Sequence, residues 1–286
     1  MQLKLIYVVL KKIPSKQVWF ISKDTRMYMP TLADIFDGLT IETPYTPPKH
    51  WLQGRTVYGG FSAALALQIA LKQFPEGLPP LKSAQIAFIG PITENVTFQA
   101  EILRQGKSAT QIAVDARVHD ALVLRTGFIF AVPRKSTIQH NHIKMPQVDR
   151  PEAYLPPPEE MFVPDFFDNF GVRFVSQSTP VSNSETPELL AWVRLNDTTD
   201  ISPEVTLLII GDCLPPASMA CFKTPAPISS MNWAVDFAQS AKHSEWYLLK
   251  SFSLISDQGY SYQMMHVWNE KGELVLSGTQ TVAIFA

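Results

Sequence analysis

Cysteine is scarce in this chain of 286 residues: there are two, Cys213 and Cys221. If one helix carried both, its rise of about 1.5 Å per residue would set their α-carbons roughly 12 Å apart, beyond the reach of a disulfide. A stapled, secreted scaffold is therefore disfavoured, and two free thiols suit a reducing cytoplasm. No Cys/His spacing suggests a metal site. His140 and His142 flank Asn141 in a polar stretch that reads as a solvated loop. A surplus of charge is also missing. Lys and Arg total 24 against 26 Asp and Glu, a formal net charge of −2, so no basic field is offered to nucleic acid or to an anionic membrane. Long apolar runs are absent as well. Residues 3–10 are apolar apart from Lys4, but the stretch is too short to span a bilayer. It is followed by Lys11 and Lys12 and lacks the small-residue cleavage site of a secretory signal. Residues 1–29 are read as a peripheral extension, with Met27 and Met29 as alternative starts.

What is present is ordinary for a globular enzyme: 46% hydrophobic and 17% charged residues, in a length that fits one large domain or two smaller ones. Residues 61–71, FSAALALQIAL, are apolar on every face except for Ser62 and Gln68. A helix of that kind must be wrapped by protein. Strand-like segments follow at 83–89, 96–102, 112–118 and 122–132. In 96–102, Val96, Phe98, Ala100 and Ile102 alternate with Thr97, Gln99 and Glu101, the pattern of an antiparallel strand covering a core on one side. The order then repeats. Residues 205–214 form a second apolar helix whose one charge is Asp212, with Pro215-Pro216 marking an early end or a kink. Strand-like segments recur at 229–237, 246–255, 260–268 and 273–285. The offset of roughly 145–155 residues signals a duplicated unit rather than a solenoid.

Between the halves, residues 134–160 are polar and proline-rich, including Pro156-Pro157-Pro158. Further extended segments precede each helix, at 40–45 in the first half and at 162–175 and 189–195 in the second. The fold class read from these patterns is α+β: a tandem double hotdog, two antiparallel sheets each wrapped round a buried central helix. The expected division is a peripheral extension at 1–29, an N-terminal hotdog at 30–135, a linker at 136–160 and a C-terminal hotdog at 161–286.

Several stretches carry a family resemblance: GRTVYGG at 54–60, PLKSAQIAFIGP at 80–91, RQGKS at 104–108, GDCLPP at 211–216, PISSMNW at 227–233 and TQTVAIF at 279–285. Together, in this order and over roughly residues 30–286, they resemble the thioesterase-like double-hotdog superfamily, whose best-known branch is acyl-CoA thioesterase II (TesB-like). The resemblance implies hydrolysis of acyl-CoA to free acid and CoA, in the cytoplasm, with no cofactor and no metal. It also implies that an Asp, a Thr or Ser, and a Gln of the second hotdog hold the hydrolytic water. Asp212, Ser230 and Gln280 match these positions. Ser230 stands where the family usually has Thr, and Ser229 beside it leaves that register open by one residue.

Each residue also has a plainer reading. Asp212 could cap or end its helix in solvent, but a carboxylate among apolar neighbours is costly unless paired or functional, and burial would raise its pKa towards that of a useful general base. Gln280 shares strand parity with Leu274, Leu276, Val282 and Ile284, so its amide needs a partner in the interior. That partner could be a backbone group. Ser229 and Ser230, after Pro225 and Pro227, could be turn residues. Gly59 and Gly60 either make a tight turn or place the first helix's N–H groups against a developing oxyanion. His266 reads as a satisfied structural histidine.

Two rivals remain from the sequence. One is a non-catalytic acyl-CoA-binding hotdog serving as sensor or scaffold. The other is an enoyl thioester hydratase, disfavoured because neither helix contains a histidine. Hotdog sheets pair edge to edge, which the two halves can do within one chain, and a homo-oligomer (dimer) is a further expectation.

Overall fold

The computed structural model of the protein describes residues 30–158, 161, 163–239 and 241–286; the extension expected over residues 1–29 lies outside them. The first element among the described residues is helix α1 (Leu32–Asp37), where Thr31 and Asp34 form a reciprocal capping box. A small hairpin of strands β1 (Leu52–Gln53) and β2 (Thr56–Val57) turns through Gly54 at φ 67°, a conformation that glycine adopts without steric cost. Helix α2 (Gly59–Gln73) follows, then strands β3 (Leu81–Phe88), β4 (Val96–Gln105), β5 (Ala109–Val118) and β6 (Ala121–Ala131). The second half comprises β7 (Phe170–Phe174), β8 (Glu188–Leu195), helix α3 (Pro203–Gly211) and strands β9 (Ile228–Phe237), β10 (Tyr247–Asp257), β11 (Tyr260–Asn269) and β12 (Leu274–Ile284).

Each half is a curved antiparallel sheet around an apolar helix, which is the hotdog architecture in tandem. The two expected sheets meet edge to edge: β3 pairs with β9 from Ser83↔Asp236 to Ala87↔Asn232. The result is one ten-stranded sheet in the order β4-β5-β6-β3-β9-β12-β11-β10-β8-β7. This join removes two edges that would otherwise present unpaired backbone groups. The helices lie inside the sheet's curve. Phe61, Leu65 and Leu67 of α2 and Leu207, Leu208 and Ile209 of α3 are completely or almost completely buried, as expected for helices without a polar face.

Three segments differ from the sequence reading. Residues 40–45 contribute an isolated bridge, Tyr45↔Val96, rather than a strand; the Thr40 and Thr43 side chains bond locally instead. Within 162–175, a 3-10 turn at Asp165–Asn169 precedes the strand. The linker at 136–160 is more than a spacer. Its Ile143, Met145, Val148 and Tyr154 cover an outer-face cluster that includes Leu190, Trp192, Leu248 and Trp268, and Trp192 Nε1 donates to the Asp149 carbonyl at 2.9 Å. The two cysteines do not share a helix: Cys213 is buried just beyond α3, whereas Cys221 is exposed at the end of the 3-10 turn Ala217–Cys221. Both are free thiols.

Candidate active site

Helix α3 is short for identifiable reasons. Ser202 caps its start, accepting from the Val205 N–H, and Pro203 occupies the first turn. At the other end, Leu214 precedes Pro215-Pro216 and is pushed away from helical geometry. The helix therefore stops at Gly211, and Asp212 takes the C-cap position with φ −99° and ψ 5°. The sequence reading had Asp212 inside the helix; the structure places it one residue past the end. This brings the carboxylate to the start of α2.

That junction requires both glycines at the start of α2. A Cβ on Gly59 would sit 2.6 Å from Asp212 Oδ2, and one on Gly60 would sit 2.8 Å from the Leu208 carbonyl oxygen. The α2 N-cap residue, Tyr58, supplies no side-chain cap. Instead the Gly60 backbone N–H donates to Asp212, so a carboxylate from the second half caps the helix of the first and meets its positive pole. Tyr58 acts in the opposite direction. Its hydroxyl donates to the Ile209 carbonyl at 2.7 Å, satisfying an end group of α3, while its ring stacks on Phe166 at 4.1 Å. The N–H of Gly60, read from the sequence as an oxyanion donor, is thus already engaged. Gly59 lies at the cavity wall.

Gln280 enters from β12. Its side chain is buried, and Nε2 donates to Asp212 Oδ1 at 2.7 Å. Gln263, opposite it on β11, donates through Nε2 to Gln280 Oε1 at 2.7 Å and accepts at Oε1 from the Ala217 N–H at 2.9 Å. The sequence reading missed Gln263, although the signal was available: it shares strand parity with Met265 and Val267, as Gln280 does with Leu276 and Val282. His266, on the opposite face of β11, pairs with the Ser277 hydroxyl at 3.1 Å and packs against Trp268. This is the structural role expected of it.

A cavity of about 510 Å³ opens at this junction. Its walls include Asp212, Gly59, Ser62, Phe88, Ser229 and Ser230. Ser230 pairs with the interior residue Val282, whereas Ser229 pairs with Ala283. Ser230 is accordingly half-buried and Ser229 exposed, so Ser230 shares the interior face with Gln280. Ser230 is in the same cavity as Asp212 but is hydrogen-bonded to neither Asp212 nor Gln280. The structure therefore joins Asp212, Gln280 and Gly60 directly, and brings Ser230 to the same wall.

The electrostatics favour a base. Asp212 is enclosed by protein except for an edge facing the cavity. Burial pushes its pKa up to about 7, while the hydrogen bonds from Gln280 and Gly60 pull the other way. Desolvation together with the Asp212 charge holds Tyr58 and Cys213 in their neutral forms.

Comparison with known proteins gives this geometry a family. Residues 47–131 match the model of the acyl-CoA thioesterase N-terminal domain, and residues 147–284 match that of the acyl-CoA thioesterase C-terminal domain. The chain is similar to acyl-CoA thioesterase 2 of Haemophilus influenzae, 22% identical over 252 residues, covering 79% of this chain and 86% of that protein. Among solved structures, a hot dog fold protein of unknown function from Alicyclobacillus acidocaldarius superposes with a TM-score of 0.76 at 20% identity, covering 85% of this chain and 92% of that one. The acyl-CoA thioesterase II TesB2 of Mycobacterium marinum superposes with a TM-score of 0.66 at 20% identity, covering 79% and 88%. The solved structures establish the fold, and the two domain models extend it to the activity. The chain belongs to the acyl-CoA thioesterase family and is a thioester hydrolase.

Proposed function

We propose that the chain hydrolyses acyl-CoA by general-base activation of water, with Asp212 as the base. The observation that carries this reading is a carboxylate at the wall of a cavity, held by an amide donor and a helix N–H, whose pKa burial pushes up to about 7. A group of that pKa is ionised in part at neutral pH and still binds a proton well, the balance that general-base catalysis needs. With Oδ1 occupied by Gln280, Oδ2 takes the proton from water. The resulting hydroxide attacks the thioester carbonyl, and collapse of the tetrahedral intermediate breaks the C–S bond; the leaving thiolate takes the proton back from Asp212, which releases CoA as a thiol and regenerates the base. Ser230 and the second N–H of Gln280 hold the water. Gly59, at the start of α2, contributes to stabilising the oxyanion. The acyl group occupies the cavity beside Phe88.

The same reading divides the chain into hotdog units at 30–135 and 161–286 with the linker between them, and places it in the cytoplasm, where acyl-CoA is made and used. A second copy pairing as a dimer is compatible with it. Among the described residues, no helix is long and apolar enough to cross a membrane.

The test is release of free thiol from acetyl-, octanoyl- and palmitoyl-CoA by the parent and by Asp212→Asn. The variant is expected to lose about 10²-fold or more, the scale of removing a general base, with its circular dichroism unchanged. Parent-level release by Asp212→Asn would overturn the assignment of the base. No release by the parent from any of the three would favour the binding reading.

A further inference from the structure

An amide side chain has two ends of nearly equal size and opposite hydrogen-bonding character, so shape alone does not orient it. Two such amides, Gln263 and Gln280, lie in series in the interior of the second half. They are direct cross-strand partners, 2% and 4% exposed, so bulk water has little access to repair a wrong orientation. Both ends of the series are groups of fixed character. At one end is the Ala217 backbone N–H, which can only donate. It heads the 3-10 turn Ala217–Cys221, whose N-cap residue Pro216 offers no side-chain acceptor. Gln263 Oε1 accepts this N–H at 2.9 Å. Gln263 must then present Nε2 to its neighbour, 2.7 Å from Gln280 Oε1. Gln280 in turn presents Nε2 to Asp212 Oδ1, also at 2.7 Å. At the far end, an ionised carboxylate can only accept. Reversing either amide alone would set like atoms against each other at these distances, at both of its contacts.

We infer that Gln263, anchored by the Ala217 N–H, is a positioning residue that fixes the orientation of Gln280 and so keeps a donor rather than an acceptor against the Asp212 carboxylate. The inference rests on the general-base reading of Asp212. Its consequence is that the second N–H of Gln280 is aimed from a fixed amide, and that the base keeps the hydrogen bond opposing the rise in its proton affinity. The titratable groups facing Asp212 are Tyr58, at the entry to α2, and Cys213, beside it on the chain; both are held neutral by burial and by the carboxylate. The acid side of the rate profile therefore reports Asp212.

The experiment compares the parent with Gln263→Glu and Gln263→Met by thiol release from octanoyl-CoA across pH, with melting temperature as the control for folding. While protonated, the carboxyl group introduced by Gln263→Glu can donate to Gln280 and accept from Ala217, preserving the relay. Once ionised, that carboxylate only accepts, and draws the Gln280 amide round. Gln263→Glu is thus expected to gain a descending limb on the alkaline side that the parent lacks. Gln263→Met is expected to move the acid limb upward by about one pH unit, the scale of weakening one hydrogen bond to a charged group, with kcat reduced more than KM is raised. If either variant folds and its profile superimposes on that of the parent, or falls uniformly at every pH, the relay does not orient Gln280. A carboxyl-carbon NMR titration of Asp212 in the parent and in Gln263→Met reads the same displacement without turnover. If Asp212→Asn retains full release, the base assignment fails, yet this titration still decides whether the relay exists.

Discussion

The two halves share a strand plan but differ in what they place inside it. In the first half, the facing interior positions of β5 and β6 are Ile112↔Phe128, Val114↔Thr126 and Ala116↔Leu124. The polar residue among them, Thr126, is satisfied locally by the Val114 carbonyl at 3.2 Å. In the second half, the corresponding strands β11 and β12 pair Gln263↔Gln280, Met265↔Gly278 and Val267↔Leu276. One half has a largely apolar core, with Thr126 satisfied from within that half. The other has a polar line through its core, ending in a carboxylate. Buried polar groups of this kind are retained where the structure satisfies every member, and here the satisfying groups come from outside the strands: the Ala217 N–H and the Gly60 N–H. The first half supplies a helix start, and the second supplies the carboxylate that the proposed mechanism uses as its base.

Exchanging these interiors gives the largest expected effect. Gln263→Val with Gln280→Thr makes the second half resemble the first. Thiol release should fall to the level of Asp212→Asn, a loss of about 10²-fold or more. The reciprocal change, Val114→Gln with Thr126→Gln, introduces amides where no carboxylate or unpaired N–H completes the line. It should leave turnover per folded molecule unchanged and cost stability, on the order of 1–3 kcal/mol for each amide left unsatisfied, read by urea denaturation. Equal loss of activity in both exchanges would mean that the halves contribute alike.

The pH dependence of stability sharpens the same contrast. Burial raises the Asp212 pKa from 3.8 to about 7, so folding favours its protonated form. Its contribution is fully present below about pH 4 and is lost as pH rises through about 7. The displacement of about three units corresponds to about 4 kcal/mol as an order of magnitude. The first half buries hydroxyls such as Ser62, Thr110 and Thr126, which do not titrate in this range. Asp212→Asn should therefore gain stability relative to the parent between about pH 4 and about pH 7. A gap that stays constant over that window would show that the carboxylate is not desolvated.

How far the sequence revealed this arrangement depended on whether a residue's partners were local. Alternation within 96–102 marked β4, because the rule behind it acts between neighbours along one strand. The two helices were marked by apolar residues on every face. Gln280 was found because an amide on an apolar strand face needs a partner. Gln263 carried the same signal but was passed over, since its significance depends on facing Gln280 across β11 and β12, a register set by turns and a bulge rather than by either strand alone. The engagement of Gly60 with Asp212 was hidden for a similar reason. It depends on α2 and α3 abutting, which the sequence suggests only through a pair of glycines that a tight turn would also explain. The linker was read by composition as polar and extended. Its apolar residues, Ile143, Met145 and Val148, are spaced too irregularly to signal that they cover the sheet.

The outer faces repeat the comparison on a smaller scale. In the second half, Trp192 is 2% exposed beneath the linker, with its indole N–H bonded to Asp149. Trp192→Ala should cost about 3 kcal/mol or more through the cavity it leaves while sparing turnover per folded molecule, because the residue is on the face away from Asp212. In the first half the outer face is open to solvent. It carries a two-point pair in which Arg125 Nε and Nη2 donate to the Asp115 carboxylate at 2.7 and 2.6 Å. That hydrogen bond lowers the Asp115 pKa against a smaller opposing effect of burial, so any stability it contributes is present at neutral pH and is lost as the solution is acidified through the carboxylate range. Solvent screens such a pair, and holding two long side chains in one geometry has an entropic cost. Asp115→Asn is therefore expected to leave both the melting temperature at neutral pH and thiol release unchanged within error. A clear fall in melting temperature that disappears in high salt would show that the open face of the first half also depends on its charges, and that its stability is not carried by the apolar core alone.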